Sequence, residues 1–375
     1  MDYPNFLRSN VEAFLAGRGI AFNELRQLAS RQGFGDARLL LTSSPVHGIA
    51  TPTSDIDLIC LCQGPVSTGQ MATQIHHDGH HVEVLPFAAA DVQAAFMAWG
   101  TLANGALHRR LKGYQDWDQH HALRLKYLER LVYGVTAEGD APFLVHQDET
   151  ARIVAANEFD TLHQNLICAC LSTRAGEPDA AQAYLLNGAL AAMNLLLSQA
   201  GWVLSNRKWT LRRWQMVAEL APGLIDAGLY RDISALWMQV QSAHSGVEHS
   251  AGPISHGAPS DRLGALARIH RQLLQLVNDA DPTITNNTLT LTPAARACKH
   301  TMMDTQAAYL HDPQGGSRLE SIAALPSLPS DINGLDHLPP ATAARVLRGL
   351  RSGEWHCSLS TLLGSAAEEI ADVAA

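Results

Sequence analysis

LLLTSSPVHGIATPTSDIDLICL, residues 39–61, decides the reading. An apolar run ends in Ser43-Ser44, ten residues follow with Gly48 among them, and a second apolar run opens with Asp55-Ile56-Asp57. The first run, Ala37 to Thr42, is short enough for a strand, and DIDLICLC, Asp55 to Cys62, bounded behind by Gly64-Pro65, predicts a second. Residues two apart in a strand share a face, so Asp55 and Asp57 present both carboxylates on one side while Ile56 and Leu58 point into the core. Two adjacent anions repel, and a hard divalent cation with oxygen ligands is their natural partner.

Working outward, HHVEVLPF, His80 to Phe87, predicts a third strand after the turn signal Asp78-Gly79, with Met71 to His77 pairing back as a hairpin. Val82-Glu83-Val84 sets a lone acid between two apolar neighbours, so Glu83 must face away from both valines and is the candidate third carboxylate, as metal ligand or base. Magnesium takes one or two protein carboxylates together with substrate phosphate oxygens. A tight turn of small residues at Ser43-Ser44 exposes N–H groups and hydroxyls suited to the phosphates of a nucleotide. Asp55 and Asp57 are then expected to bridge two metals about 3.5–4 Å apart.

These features, Ser43-Ser44, ten residues, Asp55-x-Asp57 and Glu83, resemble the signature of the polymerase-beta-like nucleotidyltransferase superfamily across roughly the first 100 residues. The resemblance implies an α+β fold: a small mixed sheet with flanking helices, then an α-helical bundle forming the other wall of a cleft. It also implies transfer of a nucleoside monophosphate, AMP from ATP by expectation, onto an acceptor hydroxyl with loss of diphosphate. The catalytic and metal residues implied are Asp55, Asp57 and Glu83, with two Mg2+ ions. One departure is Ser43, which stands where that family usually carries glycine and adds a Cβ where phosphate approaches closely. The layout is most similar to the antibiotic-type, small-molecule nucleotidyltransferases. GWVLSNRKWTLRRW, Gly201 to Trp214, resembles the Lys-Trp turn of their helical domains, which makes Lys208 and Arg207 candidate nucleotide ligands beside Ser43 and Ser44. Arg212 and Arg213 are possible assistants, and Arg130 is a further candidate of the same kind. The alternative is a regulatory or antitoxin-like protein of this fold that modifies or binds a protein partner.

Composition supports the small-acceptor branch. Against 27 basic residues stand 36 acidic ones, a formal charge of −9, with a pI near 6.0. That balance opposes a long electrostatic track along a phosphate backbone, so nucleic acid is an unfavoured partner and a small molecule or peptide is the expected acceptor. The opening residues show no export signal and no membrane span is predicted, which points to a cytoplasmic protein. The six cysteines lie in apolar stretches, never as C-x-x-C, and read as buried thiols. His76-His77 and His80-His81 bracket the hairpin turn, where alternate residues diverge, while His47 stands in the loop before Asp55 and is placed to touch nucleotide or acceptor.

Three domains are expected, at 1–115, 116–281 and 282–375. Helices run from about Tyr3 to Leu15 and Phe22 to Arg31; beyond Trp117 helical stripes follow one another (Leu125, Leu128, Val132, Val135; Phe159 to Cys170; Leu186 to Leu197; Leu266 to Val277). Ser245 to Asp261 reads as an exposed loop. The last segment, with a strand candidate at Thr283 to Thr292, a Pro-rich link and short helices at Thr342 to Leu350, Leu359 to Leu363 and Ala366 to Val373, is read as a small helical or winged-helix appendage.

Overall fold

The computed structural model describes residues 2–66, 72–204, 206–245, 259–277, 289–293, 299–302, 307–311, 317–321, 333–352 and 355–359. The fold is α+β, with one five-stranded mixed sheet and eleven α-helices among these residues. Two compact units divide it: residues 1–157 with 194–225, and residues 158–193 with 226–375. Two of the three boundaries fall inside long helices and the third in the loop before Ala227, so this division cuts the chain at other points than the expected breaks near 115 and 281.

In the first unit, α1 (Tyr3–Ala16) and α2 (Phe22–Ala29) lead into β1 (Arg38–Leu41), β2 (Ile56–Cys62), β3 (Thr73–His77) and β4 (His80–Ala88). Asp2 caps α1 by accepting from the Asn5 N–H, and Leu7, Val11, Phe14 and Leu15 form its buried stripe. The β3–β4 hairpin turns through Asp78 (φ 46) and Gly79 (φ 80), the two positive angles that a tight two-residue turn needs and that the Asp-Gly signal announces. The sheet order is β3-β4-β2-β1, with β5 (Val135–Thr136) beyond β1; β2 and β4 run parallel, and the other neighbours are antiparallel. Ile56, Leu58, Val82 and Val84 are all buried, as alternation predicts.

Then come α3 (Ala89–Ala103), α4 (Leu107–His120) and α5 (Leu125–Val132). The apolar stripe expected to continue to Val135 stops early, because Gly134 follows the end of α5 and Val135–Thr136 leave as β5 to pair with Leu40 and Leu41. A spacing of three from Val132 mimics a helical period across a break that glycine enforces. α6 (Gln147–Ala175) and α7 (Pro178–Gln199) pass through the unit boundaries, and a short 3-10 turn, Arg207–Trp209, opens α8 (Thr210–Leu220) in the first unit. Fully buried Tyr133 ties that unit together: its hydroxyl donates to the Gly201 carbonyl (2.6 Å) and accepts from the Val203 N–H (3.2 Å).

The second unit holds the remainder of α6 and α7, with α9 (Ala227–Ser245) and α10 (Pro259–Val277). Phe159, Leu162, Leu166 and Cys170 of α6 and Leu266, Ile269, Leu273 and Val277 of α10 are buried as their spacing foretells. α7 is the one described helix long and apolar enough to cross a bilayer, and 61% of its apolar window is buried, the pattern of a core helix. The C-terminal segment departs from the expected helical or winged-helix appendage. Its described residues form β6 (Leu289–Pro293), a meander of β7 (Lys299–Met302), β8 (Ala307–His311) and β9 (Ser317–Ser321), one helix α11 (Pro340–Arg351), and β10 (Trp355–Leu359) paired with β6. β6 overlaps the strand expected at Thr283 to Thr292, at residues 289–292, whereas β7, β8 and β9 are short and lack the alternation that would betray them. Leu359, expected to start a helix, lies in β10. The remainder of that helix, the one at Ala366 to Val373, residues 283–288 and 246–258 lie outside the described residues.

Tyr133→Phe keeps the ring and strips both hydrogen bonds, leaving the Val203 N–H buried without its partner. A loss of about 1–3 kcal/mol is expected, the cost of one unsatisfied buried donor, read as a lower urea midpoint at unchanged slope. An unmoved midpoint would remove Tyr133 from this role.

Candidate functional site

The site forms where β1 ends and β2 and β4 begin. Parallel register sets Asp57 directly beside Glu83, one step after Ile56 beside Val82. Neighbouring strands lie about 4.8 Å apart, so these two carboxylates share a face and are close enough to repel. On the same edge the Thr42 N–H donates to the Asp57 carbonyl (2.9 Å), which fixes the following bend against β2. Ser43 takes φ 68, the left-handed region that glycine occupies most easily. The position that the resemblance assigns to glycine is thus one whose backbone demands a positive φ, and serine meets it at the cost of local strain, a mark of constrained sites. The Ser43 hydroxyl is buried and turned toward Asp57, whose anion it favours.

The ten-residue connection is fastened by residues that sequence reading missed. Arg18 Nη2 donates to the carbonyls of Thr51 (2.9 Å), Pro52 (3.3 Å) and Ser54 (3.1 Å), and Asn10 Nδ2 donates to that of Val46 (3.1 Å). Gly48 (φ 67) leaves room for Asn10, whose Oδ1 would lie 2.8 Å from an added Cβ. A lone arginine at a helix end gives no linear sign that it holds the strand entry at Asp55.

Arg130, on α5, reaches the acids. Its Nη1 stands 3.4 Å from Glu83 Oε1 and 3.6 Å from Asp57 Oδ1. All three side chains are mostly shielded, with exposures of 27% for Arg130, 24% for Glu83 and 17% for Asp57. Burial raises the Asp57 pKa; Arg130 and the Ser43 hydroxyl pull it down, and Glu83 and Asp55 push it back up. One guanidinium therefore serves two carboxylates and leaves Asp57 reluctant to ionise.

Asp55 lies in the next row. Its Oδ1 is 3.2 Å from His81 Nδ1, and its side chain is 56% exposed. His76 stands opposite His81 in register, with ring centroids 5.2 Å apart. The three acids thus line one face in two rows, Asp57 with Glu83 and Asp55 with His81, where convergence on a single point is the expectation. Among the described residues no group of three His, Cys, Asp or Glu side chains closes as a metal cage, the histidine hairpin included.

The other expected ligands fall differently. Ser44 follows Ser43 in the bend, its carbonyl accepting from Ile49 N–H (3.2 Å). His47 is a core residue, packed 4.8 Å from the Tyr133 ring and 2% exposed; burial first, and Arg213 second, lower its pKa to about 3, so it is neutral and sealed from any ligand. Arg213 is fully buried, donating to Asn194 Oδ1 (2.9 Å) and to the carbonyls of Leu204 (2.7 Å) and Trp202, a structural arginine. Lys208 lies over the Trp209 ring (4.9 Å) and takes Asn206 Oδ1 on its backbone N–H; Arg207 shares its turn, and Arg212 is exposed on α8. No described ion pair joins Lys208 to the acids.

Folded Asp57 holds its proton to higher pH than in the unfolded chain, so its ionisation costs stability as pH rises above the ordinary carboxylate range near 3.9. Asp57→Asn is accordingly expected to raise the melting temperature at pH 7, with the gain shrinking on acidification and gone below about pH 3.9. A variant less stable than wild type at pH 7 would contradict this.

A comparison with curated proteins finds no match. A family model, described as a family of unknown function (DUF6001), matches residues 3–360, nearly the whole chain, and the protein belongs to that family.

Proposed function

We propose that the protein is a metal-dependent nucleotidyltransferase that moves a nucleoside monophosphate, AMP from ATP in the first instance, to a hydroxyl of a small molecule or peptide. The observation that carries this reading is the register of Asp57 against Glu83 beside a bend held at positive φ by Ser43. Paired carboxylates, a bend of small residues and a cationic side chain stand together at one end of the sheet, and each is a part that phosphoryl chemistry needs.

Whether the residues fit Mg2+ is judged from their own electrostatics. The donors are hard oxygens, Asp57 is buried with its ionisation disfavoured, and two carboxylates share one arginine. A divalent cation relieves that imbalance better than a single guanidinium does, so the set fits. Asp57 and Glu83 would hold the metal, with Asp55 as a further oxygen ligand once released from His81. Held there, Mg2+ would neutralise the triphosphate and supply charge stabilisation for the departing diphosphate.

The chain's own residues supply the other steps. Backbone N–H groups of the Ser43-Ser44 bend hold phosphate oxygens, and Arg130 adds a charge-assisted contact to them. Glu83 orients the acceptor hydroxyl and takes its proton as the acceptor oxygen bonds to the α-phosphorus. The bond from that phosphorus to the β-bridging oxygen breaks, and diphosphate leaves with the electron pair. Lys208 and Arg207 remain candidates for the triphosphate on resemblance alone.

The test incubates the protein with α-labelled nucleotides, Mg2+ and a metabolite or peptide extract, and follows the label by mass. Wild type is expected to form a labelled acceptor, and Asp57→Asn to lower the rate by about 10^3-fold, the scale of one preorganised electrostatic group, while staying folded. Near-normal transfer by Asp57→Asn would contradict the assignment.

A further inference from the structure

Arg130 occupies an unusual place for a nucleotide ligand. Its Nη1 lies between the two carboxylates that the preceding reading gives to the cation, 3.4 and 3.6 Å from them. Both distances exceed the 2.7–2.9 Å of a tight charge-assisted hydrogen bond. One nitrogen is shared by two acids, where a committed arginine would use its fork bidentately. The contact is therefore a compromise that neutralises both acids and binds neither well.

The helix beneath it is fixed. Leu128, Leu131 and Val132 of α5 are wholly buried, and Tyr127 packs against Phe87 on the acid-bearing face of β4, with ring centroids 5.1 Å apart. Arg130 Cζ lies 6.0 Å from the Tyr127 ring centroid, which gives the guanidinium an apolar and weakly attractive shelf. Only the flexible stem of Arg130 needs to move for its head to leave the acids.

We infer that Arg130 is an exchangeable counter-ion that makes cation and nucleotide load together. The inference rests on the nucleotidyl-transfer reading of the same site. A free divalent cation entering between Asp57 and Glu83 must expel the guanidinium from both carboxylates and supplies no anion in exchange. A cation arriving with a triphosphate brings that anion, and Arg130 passes from the carboxylates to the phosphates. Reciprocity of linkage follows: nucleotide strengthens cation binding by the same factor that cation strengthens nucleotide binding.

The experiment titrates Mn2+ by electron paramagnetic resonance into wild type, Arg130→Gln, Arg130→Lys and the Arg130→Gln/Asp57→Asn double variant, without nucleotide and with a non-hydrolysable ATP analogue. Without nucleotide, Arg130→Gln is expected to bind Mn2+ at least about tenfold more tightly than wild type. Arg130→Lys should fall between them, and the double variant should lose the gain. With the analogue present, wild type should gain more affinity than Arg130→Gln. Equal Mn2+ affinity of wild type and both single variants overturns the exchange and leaves the cation site standing. No Mn2+ binding by any protein, with or without the analogue, defeats the nucleotidyl-transfer reading and this inference together. If Arg130→Gln fails to fold, Arg130→Lys carries the comparison.

Discussion

Two acidic side chains on adjacent parallel strands, held in register by the backbone, are a standing electrostatic cost. The pairing of Ile56 with Val82 buries apolar side chains on one face, and strand alternation then leaves Asp57 and Glu83 no choice but to meet on the other. A slip of one residue would turn an acid into the apolar layer of Ile56, Leu58, Val82 and Val84, so the register cannot relax to separate them. Among the described residues Arg130 answers both, shared between them and loosely held. On the proposed reading, this stored like charge is what a positive partner would relieve.

The surrounding structure keeps that arrangement in place. Arg18 and Asn10 pin the connection that delivers Asp55 to the strand, and the Thr42 N–H ties the preceding bend to Asp57. Buried α5 residues set the stem of Arg130, and Tyr133, just beyond that helix, anchors the segment leading to the Arg207–Trp209 turn. Few of these supports are chemical groups of the site itself. They determine where its groups stand.

Much of the frame was legible in the chain. Strand lengths, the Asp-Gly turn and the facing of Asp57 and Glu83 follow from alternation and turn chemistry, which are local. The role of Arg130 was only partly legible, since charge names a candidate and gives no partner; that partner depends on how α5 crosses the sheet. His47 and Arg213 show the opposite failure. Both have ligand-like side chains, and both are sealed in the core by packing that no spacing rule records. Asp55 was placed on the expected face, yet His81 on the neighbouring strand claims it, a contact set by register across sequence-distant segments. The strand expected at Thr283 to Thr292 overlaps β6, while β7 to β9 escaped because short segments without clear alternation resemble loop.

On the proposed reading, Asp57 and Glu83 together receive a divalent cation in company with a nucleotide. Crystals grown with Mn2+ and a non-hydrolysable triphosphate, measured at the manganese absorption edge, test it directly. The account predicts an anomalous peak within bonding distance of both carboxylates, with the Arg130 guanidinium displaced onto phosphate oxygens. Triphosphate bound elsewhere, or a site in which Arg130 still bridges the two acids with no anomalous peak between them, would contradict it.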